Sequence, residues 1–149
     1  MSKKPRPEQE AAFTLASDDR FHRILVSEGV KFEAAPGYET VLCFFVIRRS
    51  TGTYSLVNLV KTFHHDKCER RSVQTKDGVL AADVEQEVAK LTGAFTQAIE
   101  EQSGKKLIWH ALDLSGVTDM HQQAALISEW GRVKAWIEAP PEYWKPSQN

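Results

Sequence analysis

The stretch Glu39–Phe63, ETVLCFFVIRRSTGTYSLVNLVKTF, decides the fold. Val41–Ile47 is an unbroken apolar run, VLCFFVI, rich in β-branched and aromatic side chains. A run of this kind, without polar alternation, fits a strand buried on both faces. A transmembrane helix needs about twenty apolar residues, so the run is too short to span a membrane. Arg48, Arg49, Ser50, Thr51, Gly52 and Thr53 follow. Gly52 takes positive φ at no steric cost, whereas the β-branched Thr51 does not. The expectation is a loop of about three to five residues with Gly52 in the left-handed position, not a tight type I′ turn. The return strand is Tyr54–Phe63. Tyr54, Leu56, Asn58 and Val60 face one way, and Val57, Leu59, Lys61 and Phe63 the other. Both sets are largely apolar, which puts this strand in the sheet interior as well.

Outward from the hairpin, composition sets the limits. The chain has 149 residues, is 42% hydrophobic and holds four Trp and seven Phe, enough for one domain with a full core. A net charge of −1 and a pI near 6.5 favour neither a dedicated nucleic-acid binder nor a membrane-surface protein. The N-terminus shows no apolar segment of the secretory type. Two cysteines, Cys43 in the apolar run and Cys68 in a polar segment, make no disulfide framework. The expectation is a reduced, soluble, cytoplasmic protein without a cofactor.

Along the chain, residues 1–8 are charged and Pro-rich and read as a disordered tail, with one domain over 9–141 and a second tail over 142–149. Residues 10–16 have helical composition. Phe21–Val26 and Val30–Ala34 read as short strands around Glu28-Gly29, and Pro36-Gly37 is a turn signal, so a meander is expected up to Phe63. His64–Gly78 is charged and aperiodic and reads as an exposed loop or frayed strand end. Val84, Val88, Leu91, Phe95 and Ile99 lay one apolar stripe on a helix over about 81–102, with Asp83, Glu85 and Glu87 early and Gly104 as its stop. Lys106–Leu114 reads as a strand. Thr118 or Asp119 opens a second helix, over about 119–138 if the spacing of Leu126, Trp130, Val133 and Ile137 holds. Alternatively Gly131 ends it and Arg132–Glu138 is a last strand. The fold class is α+β: a mostly antiparallel sheet of four to five strands, centred on the hairpin over 40–63, with two main helices packed on it.

Candidate sites are sparse. His64, His65 and Cys68 offer metal-type ligands, but a structural zinc site needs four and no Cys-x2-Cys pair supplies the rest. Cys68 has cationic neighbours, Lys67, Arg70 and Arg71, which favour a thiolate. Arg48, Arg49, Lys67, Arg70 and Arg71 would form a phosphate-attracting patch if the hairpin tip met the following segment. The strand between those two groups argues for separate solvated charges instead. Trp109 and Trp130 read as core. Trp136, Tyr143 and Trp144 are harder to bury, the last two because they follow Pro140-Pro141, and such aromatics favour partner contacts. No Gly-rich phosphate loop, His-Glu-x-x-His or Gly-x-Ser-x-Gly is present. Asp113, at a strand end before Ser115-Gly116, is the sole carboxylate in a typically catalytic location. These features point to a small accessory protein working through protein–protein contacts, of the inhibitor, immunity or adaptor kind found in bacteria or phage, and self-associating. A nucleic-acid-associated module and an enzyme with an unfamiliar site are the alternatives.

Overall fold

The computed structural model describes residues 15–65 and 67–130. Its sheet contains β1 (Arg20–Ser27), β2 (Val30–Lys31), β3 (Tyr38–Arg48), β4 (Tyr54–His64), β5 (Lys67–Val79) and β6 (Trp109–Asp113). The order is β5-β4-β3-β1-β6, with β2 paired to β3 beside β1, and every pairing is antiparallel. The apolar run forms β3, the middle strand of that order. Leu42, Cys43, Phe45, Val46 and Ile47 are fully buried, as a strand covered on both faces should be. Arg48 pairs with Tyr54, so the hairpin loop is Arg49–Thr53, and Gly52 sits at φ 89°.

Each face has its own helix. After a 3-10 turn at Ala81–Asp83, α1 (Val84–Ser103) crosses one face. Its stripe packs in two groups. Val84 and Val88 meet Val46, Leu56 and Val79; Ile99 meets Val30, Leu42 and Leu107. The helix therefore runs diagonally, from the β4–β5 side at one end to the β2 side at the other. Gly104, at φ 69°, closes it. Arg23 on β1 grips Glu85, and Lys76 on β5 donates to Glu87 at 2.7 Å, so the first turns are tied to two strands. On the opposite face, α2 (Met120–Glu129) sets Ile127 against Ile24, Phe45, Ile47 and Leu114. Asp119 caps it, accepting from the His121 N–H. Trp109 packs on Phe44 and donates to Thr96, and Trp130 packs against the α2-side core, so both serve as core residues.

Three expectations need correction. His64–Gly78 is not a loop: the chain turns at His65 and returns as β5, paired with β4 along nearly its whole length. The strand escaped a reading by apolar alternation because its side chains are exposed except for Arg71, Val73 and Val79. Second, β1 and β2 do not form a hairpin. Both pair with β3, Val26 opposite Cys43 and Val30 opposite Thr40, so Glu28-Gly29 is a break in one line of pairing. The Glu28 N–H leaves the line to donate to Ile108 O at 2.8 Å. The meander thus begins only at β3; the α+β class holds, with five strands in the ordered path and the two-residue β2 as a sixth beside it. Third, α2 ends at Glu129 with Trp130 extended, so the helix does not run on without interruption from Asp119. Whether 132–138 is helix or strand lies outside the described residues, as do the tail expected over 1–8, most of the helix expected over 10–16, and the tail over 142–149. No helix among the described residues is long and apolar enough to cross a membrane.

Candidate functional site: the β5 edge and the recess at its start

β5 is one border of the sheet, and among the described residues no strand pairs with its outer side. It is 13 residues long and nearly all its side chains are in solvent. A border of that length presents a row of outward N–H and C=O groups. Near its start the ladder carries a β-bulge. Arg70 pairs with Thr62 and Cys68 with Phe63, so Glu69 is the extra residue.

The bulge borders a recess of ≈ 630 Å³ on the α1 side of the sheet. Its floor is the row Thr40–Thr62–Arg70 across β3, β4 and β5. The diagonal course of α1 leaves this corner uncovered. Phe32, Ala35 and Tyr38 form the wall, and Glu69 stands beside Arg70. The wall is fixed by short-range bonds. Ala35 N–H donates to Phe32 O and Tyr38 N–H to Ala35 O, both at 3.1 Å. His65 N–H donates to Gly37 O at 3.2 Å. Gly37 sits at φ 85°, a conformation that favours glycine, and a Cβ there would stand 3.0 Å from the His65 ring, a tight contact. The Tyr38 ring stacks on His64 with centroids 4.2 Å apart and planes at 12°. The charge of Glu69, and a hydrogen bond to it, hold the Tyr38 phenol above its ordinary range. His64 Nδ1 is 3.5 Å from the same carboxylate.

The residues singled out in the sequence fall into separate places. His64 and His65 lie together at the rim, rings 4.2 Å apart. Cys68 pairs with Phe63, which puts it on the opposite face from His64, and its thiol is exposed toward Arg70 O at 3.5 Å. Among the described residues no group of three or more His, Cys, Asp or Glu side chains converges on a possible metal position. Arg48 and Arg49 lie at the hairpin tip, and Lys67, Arg70 and Arg71 at the far end. Arg48 pairs with Tyr54, while Arg71, Arg70 and Lys67 pair with Lys61, Thr62 and His64, so the two groups stand about 23–33 Å apart along β4 at about 3.3 Å per residue. Arg49 is also structural there, bonded to Asp19 at 3.0 Å and to Ser55 at 2.9 Å. Asp113 accepts from the Ser115 N–H at 3.0 Å, which holds its carboxyl below the usual range and makes it part of the turn. Trp136, Tyr143 and Trp144 lie outside the described residues.

Sequence reasoning missed Phe32, Tyr38, Thr40, Thr62 and Glu69. The signal was parity: Thr40 continues the Leu42 and Phe44 face of β3, and Thr62 the Asn58 and Val60 face of β4. Once the register is known, two hydroxyls fall side by side at the end of an apolar row. Lys61 is a further surprise, 2% exposed on the opposite face near Cys43. Burial pushes the Lys61 ammonium down and the Cys43 thiol well up. Compared with protein-family models, curated proteins and solved structures, the chain matches none.

Proposed function

We propose that the protein is a small binding or accessory protein, of the inhibitor, immunity or adaptor kind, that engages a protein partner by adding a strand of that partner to β5. The carrying observation is the length and exposure of β5 at the sheet border. Strand addition draws affinity from main-chain hydrogen bonds and selectivity from alternate side chains. The charged residues Lys67, Arg70, Arg71, Lys76 and Asp77 discourage indiscriminate pairing of such an edge. A chosen partner has to match them in charge and spacing. The nucleic-acid alternative is less favoured, since its five cations form two small groups at opposite ends of β4 instead of one patch.

Adjacent residues in an antiparallel strand direct their N–H groups to opposite sides. Of Gln74→Pro and Thr75→Pro, one therefore removes a bond to β4 and the other removes an outward donor. The first should lower the melting temperature strongly. The second should leave the fold intact and abolish capture of the partner that the wild-type chain retains from its native host, identified by mass spectrometry. Full capture by the fold-preserving proline variant would overturn the strand-addition reading, as would the absence of any partner specific to the wild type.

A further inference from the structure

We propose that the recess binds a small monocarboxylate carrying a planar ring, with the carboxylate on Arg70, Thr62 and Thr40 and the ring against Phe32 and Tyr38. This goes beyond strand addition, which uses the outer edge of β5 and not its face. The row Thr40–Thr62–Arg70 is set by register, and neighbouring side chains in such a row stand about 5 Å apart. That spacing suits the two oxygens of one carboxylate. Among the described residues, no hydrogen bond satisfies either threonine hydroxyl and no carboxylate pairs with the Arg70 guanidinium. Thr40 is nonetheless only 9% exposed and lines the recess, which places it deep in the floor.

Glu69 limits the charge the site accepts. Its carboxylate is engaged by Tyr38 and His64, and it offsets Arg70 to leave the lining neutral. A single negative charge suits that lining better than the two of a phosphate monoester. The wall supplies the second half of the recognition. Tyr38 is held in orientation by its stack on His64, and Phe32 is fixed by the turn through Ala35. A volume of ≈ 630 Å³ falls within the range of small-molecule clefts.

The test is an NMR titration of the full chain, following backbone amides with 3-phenylpropionate as probe. Saturable shifts centred on Thr40, Thr62 and Arg70 are expected at millimolar probe, with none from 3-phenylpropanol. Arg70→Gln should weaken binding by about tenfold or more, the scale of a lost charge-assisted bond. Thr40→Val with Thr62→Val should weaken it several-fold. Arg70 is exposed and Thr→Val keeps the side-chain volume at both other positions, and a dispersed spectrum verifies the fold. Tighter binding of N-acetyl-Gly-Gly-Phe than of the free acid would assign the carboxylate to a chain end; equal or weaker binding would assign it to a free small molecule. The proposal fails if no probe gives saturable shifts, if the alcohol binds as well as the acid, if phenyl phosphate binds more tightly, or if Arg70→Gln binds undiminished.

Discussion

Asn58 lies on the α1 side of β4, paired with Phe44, 6% exposed and, among the described residues, with no hydrogen-bond partner for its Oδ1. A buried acceptor left unpaired costs about 1–3 kcal/mol relative to a satisfied one. Valine suits an interior strand and carries no such group. Asn58→Val should therefore stabilise the fold by about 1–2 kcal/mol in denaturant titration. A loss of stability would mean that the Asn58 amide is satisfied in the folded chain, and would overturn this account of it. Asp19 is the opposite case, 3% exposed and fully employed. It accepts from Ala16 N–H and Ser50 N–H, each at 2.8 Å, and from Arg49 at 3.0 Å. Burial alone would raise its pKa, but these donors outweigh it and the net shift is downward from 3.8. A carboxyl whose folded pKa is depressed stabilises the fold above its unfolded pKa and loses that contribution as pH falls through the folded value. Stability should decline below about pH 4, and Asp19→Asn should lower stability at neutral pH while flattening that decline. An unchanged acid slope in the variant would remove Asp19 from the account.

At the scale of elements, one buried side chain attaches α2 to the sheet. Gln123 is 1% exposed; it accepts from the Phe21 N–H at 3.1 Å and donates to Phe21 O at 2.8 Å and Val117 O at 2.9 Å. It serves β1 as a neighbouring strand would, at the position where the β1–β3 register shifts. Gln123→Leu keeps the bulk and removes all three bonds, and should cost about 2–4 kcal/mol by chemical denaturation. A cost under about 0.5 kcal/mol would show that α2 is held by apolar contact alone. None of this attachment was legible beforehand, because a polar residue on a helix gives no sign of which backbone it will meet. What was legible had a strong local cause. VLCFFVI could only be interior, Gly52 was the residue suited to left-handed φ, and the Val84–Ile99 stripe could only be one helix face. β5 gave no such sign: its place depends on β4 offering an unpaired side, which is a property of the sheet and not of residues 67–79. The β1–β2 break was hidden in the same way, since both segments look like strands and only β3 shows that they lie in one line. The recess was hidden because its floor is assembled from three strands: Arg70 stood out as a cation, but only the register shows that Thr40 and Thr62 lie beside it.

For the whole molecule, the two faces and the two borders have different roles. The faces are carried by α1 and α2 on an apolar sheet, and among the described residues the border at β6 is five residues long against 13 at β5. The long border carries six charged residues in its 13 positions, and the recess opens near its start. The buried core is built on β1, β3 and β4, and β5 is the working surface we propose. That assignment makes a demand on individual amides. Hydrogen exchange on the free protein should show alternation along residues 70–76, with the N–H groups bonded to β4 protected and the intervening ones exchanging at near-random-coil rates. The decisive measurement is the same exchange profile with the partner bound. The account predicts that the fast set becomes protected while the slow set stays as it was. Fast amides that remain fast in the complex, or that are already protected in the isolated chain, would contradict it.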